Sequence, residues 1–339
     1  MQLHRNLSRH LDLCFIFAVW ILWAIFMSLG ARWALFVENW FMSVTMAFGS
    51  FVAGSTSQGG GAVAFPVMTL GFNIEPKGAR DFSMMIQSVG MTSASIAIFW
   101  RKIHVDRTSL VVAGIAGAVG AIIGLEFVQW WFAPDPTKVF FVSLWLAFGF
   151  ALWRINQITR KVRRTTLADR SSRTLFFLAL SGLLGGIISG LLGSGLDILV
   201  FALLVLGFRL CETVATPTSV VLMASNSLVG FCWRLLGGGG EPIREEIWNY
   251  WWVCVPIVAI GAPLGARFIS SRGHLFVVRL LLVVILAQFI GALIIVPFDR
   301  PLTLLAVLTF GFGVALFLLV WKWGRRYASD PGESVYEES

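Results

Sequence analysis

Charge is scarce in this sequence. Asp, Glu, Lys and Arg make up 13% of its residues, about half the ~25% of ordinary soluble domains, and that shortage excludes a soluble globular protein. Histidine is scarcer still. His4, His10, His104 and His274 all fall in tails or loops between apolar runs. An intramembrane serine protease, which Leu192-Gly193-Ser194-Gly195 superficially suggests, needs a histidine base within hydrogen-bond reach of its serine. That chemistry is excluded, and the chain reads as a non-enzyme. The four cysteines (Cys14, Cys211, Cys232, Cys254) lie in or beside apolar segments without metal-ligand spacing, so packing is their default role and neither a metal nor a disulfide framework is expected of them. The net charge of +8 does not point to nucleic acid, because cytoplasmic loops of membrane proteins are enriched in Lys and Arg for orientation.

What is present is apolar chain: 57% hydrophobic residues and a mean hydropathy of +0.81. The expected class is an all-α polytopic membrane protein, with the bilayer as its surroundings. Apolar segments fall at approximately 11–29, 33–54, 57–72, 82–100, 108–130 and 138–153, then 174–193, 195–208, 213–233, 247–268, 276–296 and 301–321. Threading all twelve with the N-terminus inside places 19 of the 26 basic residues in the cytoplasm, as the positive-inside rule asks. Both termini are therefore expected to be cytoplasmic and the location a cell membrane. The organisation reads as an extra N-terminal helix over 1–30, a first repeat over 33–153, a basic cytoplasmic connector over 154–173, a second repeat over 174–296, and a last span with a cytoplasmic tail over 297–339. Most tryptophans cluster near segment ends, as an interfacial belt does.

The repeat rests on a 136-residue shift of Gly49–Ser83, which yields nine identities, among them Gly54/Gly190, Gly59/Gly195, Leu70/Leu206, Gly71/Gly207, Phe72/Phe208 and Ser83/Ser219. Each copy runs from an apolar helix into a Gly/Ser cluster, an apolar run closed by Leu-Gly-Phe, and an Ala-x-x-x-Ser entry into another helix. Non-helical backbone at membrane depth survives only where protein or a water-filled cavity surrounds it. Matched interruptions in two halves point to a transporter site, although glycines also serve close helix packing. The copies enter the membrane from opposite sides in the threading, so inverted-topology repeats are expected, with the short segments 57–72 and 195–208 as half-helices or re-entrant arms meeting near the midplane.

Four polar sets stand out in the apolar background. Ser55, Thr56, Ser57 and Gln58 with Gly59, Gly60 and Gly61 offer hydroxyl, amide and backbone donors without fixed charge, which suits an anion that must leave again. The same side chains also suit helix capping. The second cluster supplies Gly193, Ser194 and Gly195, and the helix entries supply Ser83, Gln87, Thr218, Ser219 and Asn226. Asp197 is an ionisable group in an apolar segment and thus a functional candidate; it either handles a coupling proton or sodium ion, or pairs with a basic residue. Arg80, beside Asp81, is a candidate for drawing an anion into an outer vestibule, although such a pair also simply neutralises itself.

These paired clusters resemble the TauE/SafE sulfite exporter family of membrane transporters, in which each half carries a Gly-x-Gly-Gly-Gly motif followed by an Ala-Val-Gly-Thr-Ser-like one. The first corresponds here to Ser57-Gln58-Gly59-Gly60-Gly61 and Gly193-Ser194-Gly195-Leu196-Asp197, the second to Ala79-Arg80-Asp81-Phe82-Ser83 and Ala215-Thr216-Pro217-Thr218-Ser219. The resemblance covers roughly residues 40–325. Each half lacks a different part of the glycine motif, and Arg80-Asp81 stands where the family has small or apolar residues. The resemblance implies export of sulfite or a small organosulfonate by a secondary transporter, without a cofactor. A passive anion channel is the alternative that the same donors permit. A cysteine placed at position 164 is expected to react with an impermeant thiol reagent only after the cells are opened, and labelling of intact cells would overturn the topology.

Overall fold

The computed structural model describes residues 2–56, 59–158, 164–167, 170–270 and 274–327. They form an all-α protein of thirteen α-helices. In order these are α1 (Gln2–Leu29), α2 (Leu35–Glu38), α3 (Trp40–Ser55), α4 (Gly60–Pro66), α5 (Pro76–Trp100), α6 (Arg107–Glu126) and α7 (Pro134–Ile158). Then follow α8 (Ser172–Leu192), α9 (Leu196–Ala202), α10 (Glu212–Leu235), α11 (Glu245–Ser270), α12 (His274–Ile295) and α13 (Arg300–Tyr327). Among the described residues seven helices are long and apolar enough to cross a membrane, or eight if the N-terminal helix and the short helix after it, bent by 111°, count as one span.

The two copies of the repeat have the same shape. In each a helix breaks at the glycine cluster, resumes for seven residues (α4, α9), and ends in a five-residue π-helical turn, Val67–Gly71 or Leu203–Gly207. Phe72 N–H donates to the Val67 carbonyl at 3.2 Å and Phe208 N–H to Leu203 at 2.9 Å. Asn73 and Arg209, 136 positions apart and not identical, then turn the chain with left-handed φ values of 52° and 58°.

Each copy is a hairpin, and this resolves the short segments. Phe41 at the start of α3 meets Phe72 beyond the π turn, with ring centroids 4.3 Å apart. In the second copy Arg164, ahead of α8, exchanges backbone hydrogen bonds of 2.9 and 2.8 Å with Arg209 and Cys211 beyond the π turn. The chain thus returns to the level from which it set out, so 57–72 and 195–208 are return arms rather than independent crossings.

Lipid offers no hydrophobic drive for helix to bind helix, and close backbone approach has to supply it. Gly190 has Gly124 Cα of α6 2.7 Å from where its Cβ would be, and Gly54 has Ala262 Cα of α11 at 2.9 Å. These two repeat-matched glycines therefore serve packing. The contacts are reciprocal: α6 packs on α8 while α11 packs on α3, and α5 and α10 cross at the centre. In the apolar stretch of α5 78% of residues are buried, against 11% in α13, which puts α5 at the core and α13 toward lipid.

Prolines inside these helices each free a carbonyl four residues upstream, and lipid cannot satisfy it. At three of them, side chains from other helices do. Pro256 frees Trp252, whose carbonyl accepts from the Trp23 indole at 2.7 Å. Pro263 frees Ala259, which accepts from the Ser93 hydroxyl at 2.9 Å. Pro66 frees Ala62, which accepts from Gln288 Nε2 at 2.9 Å. Gln288→Leu is expected to lower stability by about 1–3 kcal/mol. Adding Pro66→Ala, whose new N–H reaches the Ala62 carbonyl, should recover most of that loss; a double variant as unstable as the single one in thermal unfolding would show that Gln288 acts elsewhere.

Candidate functional site

The hairpin tips meet. α8 ends on Gly193, at φ 79°, and Gly195, at φ 154°, completes a turn that residues with side chains rarely adopt. That turn sets Asp197 in the first turn of α9, where its carboxylate is fully buried. Gly59 N–H, from the other half, donates to Asp197 Oδ2 at 2.7 Å. Gly195 N–H donates to Oδ1 at 2.9 Å, and the Ser194 hydroxyl lies 3.3 and 3.4 Å from the two oxygens. Asp197 has no ion-pair partner among the described residues. Of the two sequence readings, pairing with a basic residue is therefore not what the structure contains; the carboxylate is held by neutral donors.

Gln87 is the second tie. Its Nε2 donates to the Gly193 carbonyl at 2.8 Å and to Ser83 at 2.9 Å. A Cβ on Gly59 would strike Gln87 Oε1, and one on Gly61 would strike Nε2, with Ser83 Cβ at 2.9 Å and Gly193 O at 3.1 Å. Gly60 has more room, its nearest neighbours being Ala53 Cβ and Met46 Cε at 3.6 Å. Met223 of α10 closes this side, with Cγ 3.1 Å from the same point at Gly59. Ser219 lies one turn before Met223 and Asn226 one turn after, on one stripe of the helix.

Around this junction buried polar atoms have no partner: Gln87 Oε1, Ser219 Oγ, Ser227 Oγ, and both Oδ1 and Nδ2 of Asn226. An unmade hydrogen bond of this kind costs about 1–3 kcal/mol. Other buried polar atoms, Ser109 Oγ and Ser143 Oγ among them, are unpartnered as well, but Gln87 touches the Gly193 carbonyl and Met223 sets the stripe of α10 that carries Ser219 and Asn226 against Gly59, which makes this group the candidate for a polar ligand.

The remaining expected residues divide by what their side chains do. Ser55, Thr56, Ser83 and Thr218 donate to the carbonyls of Phe51, Val52, Ala79 and Val214, four residues back, at 2.6–2.9 Å. Thr218 also accepts from Asp106 N–H at 2.9 Å, which fastens α10 to the start of α6. Ser57 and Gln58 lie outside the described residues. Ser227 was not singled out from sequence, although its place beside Asn226 in a polar stretch of α10 was a usable signal.

Arg80 is not an open vestibule residue. It is 1% exposed, bonded to Asp81 and to Gln129 Oε1, while Asp81 also holds Arg234 of α10 at 2.9 Å. The sequence reading missed Arg234 and Gln129. Beside this cluster a cavity of ≈ 150 Å³ is lined by Glu75, Lys77, Gln129, Trp130, Thr137 and Leu191.

Helices that break at matched glycine clusters, and meet tip to tip over buried polar atoms, define a polytopic membrane transporter. The chain belongs to the sulfite exporter TauE/SafE family, whose sequence model matches residues 41–287. That span takes in both hairpins and the α5–α10 crossing. No curated protein matches the chain, and no solved structure does.

Gly59→Ala and Gly61→Ala are expected to lower transport sharply, since the added methyl displaces Gln87 and overpacking costs about 1–3 kcal/mol. Gly60→Ala is expected to transport as the wild type does. Equal damage from all three, in proteoliposome flux of protein with unaltered gel-filtration behaviour, would remove Gln87 from the site.

Proposed function

We propose that this protein is a secondary transporter that exports a small sulfur-containing anion, sulfite or an organosulfonate, across the cytoplasmic membrane, with both termini and the 154–173 connector in the cytoplasm. The observation that carries the reading is the set of unpartnered buried atoms of Gln87, bonded across the halves to Gly193, and of Ser219, Asn226 and Ser227 on the helix whose Met223 lies against Gly59. Hydroxyl and amide donors can replace part of an oxyanion's hydration without binding it too firmly to leave. The Gln87 and Asn226 carbonyl oxygens would accept the proton of a protonated oxyanion or the amino group of an aminosulfonate. Gly59, Gly60, Gly61, Gly193, Ser194 and Gly195 shape the junction, and Ser83 backs it.

Alternating access would come from inverted halves. Supporting this, the equivalent helices α5 and α10 run antiparallel: Asp81 near the start of α5 binds Arg234 at the end of α10, and Asp106 beyond the end of α5 bonds Thr218 near the start of α10. A two-fold axis in the membrane plane relates equivalent helices in this way.

Asp197 is the coupling residue of this reading, because its carboxylate bridges the halves through Gly59 N–H. A proton gained there would weaken the bridge and favour a different arrangement of the tips. Asp197→Asn keeps the shape but cannot titrate. In proteoliposomes it is expected to retain sulfite binding by calorimetry and to lose flux driven by an imposed pH gradient. Unchanged pH-driven flux would take Asp197 out of the mechanism, and wild-type flux that never accumulates anion against its gradient would favour the passive channel.

A further inference from the structure

The cluster of fixed charge lies beside the hairpin tips, where α5 begins and α10 ends. Arg80 Nε and Nη2 donate to Asp81 Oδ1 at 3.0 and 2.8 Å, and Arg234 Nε and Nη2 donate to Oδ1 and Oδ2 at 3.1 and 2.9 Å. Neither guanidinium has a second carboxylate within ion-pairing distance among the described residues. The neighbouring acid, Glu126, has its Oε1 engaged by Gly239 N–H and the Trp233 indole, both at 2.6 Å. Arg234 Nη1 also donates to the Gly238 carbonyl and Nη2 to the Glu241 carbonyl, both at 2.6 Å, so Asp81 is the one carboxylate that both guanidiniums share as ion-pair partner among the described residues.

An isolated buried charge costs several kcal/mol unless it is paired, and here two guanidiniums have one carboxylate between them as ion-pair partner. Space for a further anion lies beside them. A small cavity of ≈ 30 Å³ is lined by Arg80, Asp81 and Arg234, with Glu241 and Arg244 also on its wall. It shares Glu75, Lys77 and Trp130 with the ≈ 150 Å³ cavity. Lys77, held 4.1 Å over the Trp130 ring, adds a cation at this mouth. The route to the junction is short, because the Arg80 carbonyl lies 2.9 Å from where a Cβ of Gly193 would be.

We propose that Arg80 and Arg234 form a second anion-binding site, which receives the transported oxyanion between the hairpin junction and the mouth lined by Lys77, with Asp81 as its built-in competitor. The proposal rests on the anion-transport reading. Planar guanidiniums recognise oxyanions through paired N–H donors. An incoming anion takes donors that Asp81 now occupies, and Asp81 takes them back as the anion leaves, so the site can be strong in its donors and still release.

The test is calorimetric titration of the purified full chain with sodium sulfite, together with proteoliposome flux. Asp81→Asn removes the competitor and is expected to bind sulfite about tenfold or more tightly than the wild type. The gain should persist when Asn226→Ala is added at the junction and vanish when Arg234→Gln is added. Arg234→Gln alone leaves a charge-balanced Arg80–Asp81 pair; it should raise the KM of sulfite flux about tenfold while binding at the junction is unchanged. A folded Asp81→Asn that binds no tighter, in a wild type that transports sulfite, overturns the second site and leaves the carrier reading standing. Should Asp81→Asn not fold, an unaltered KM in Arg234→Gln overturns it as well. A wild type that moves no anion overturns the carrier reading and this site with it.

Discussion

Everything in this fold answers to the demand that a backbone group at membrane depth must have a partner. Unbroken helices meet that demand internally. This chain breaks its helices at two glycine clusters and lowers them further at Pro66, Pro256 and Pro263, and the freed groups are then satisfied by long-range partners. Trp23, Ser93 and Gln288 close three carbonyls, and Asp197 closes the exposed amides of Gly59 and Gly195. The tertiary structure is therefore held together where the secondary structure is incomplete. The same breaks that make a polar junction possible also supply the cross-links that position it.

Asp197 changes what the first glycine cluster means. Read alone, the Gly59 amide is an open donor for an anionic substrate. In the structure it is already bonded to a carboxylate from the other half, and side chains of α5 and α10, Gln87, Ser219 and Asn226, keep unsatisfied atoms. The repeat thus provides two matched frames, and the departure from symmetry at Gly61/Asp197 provides the connection between them.

The breaks were legible because glycine and hydroxyl residues contrast with an apolar background, and their recurrence at a fixed interval marked two related halves. Segments 57–72 and 195–208 were visibly too short for spans. Hydroxyl direction was not legible: Ser55, Thr56, Ser83 and Thr218 looked like donors to a ligand but bond back along their own helices, a local competition that spacing does not reveal. Nor was the partner of Asp81, since Arg234 lies 153 residues away and meets it only because α5 and α10 cross antiparallel. Gly54 and Gly190 recur as faithfully as Gly59 and Gly195, yet they serve helix approach, because close backbone contact and ligand space select the same residue.

The two hairpins are moored by different materials. The base of the first is held by aromatic rings, Phe41 against Phe72 and Tyr250, contacts that can slide and re-form at little cost. The base of the second is stitched by main-chain bonds to Arg164, inside the very segment that links one half to the other. Main-chain bonds tolerate almost any side chain but little displacement. Substitution at Phe41, Phe72 or Tyr250 can therefore loosen the base of the first hairpin, whereas no single side chain holds the base of the second.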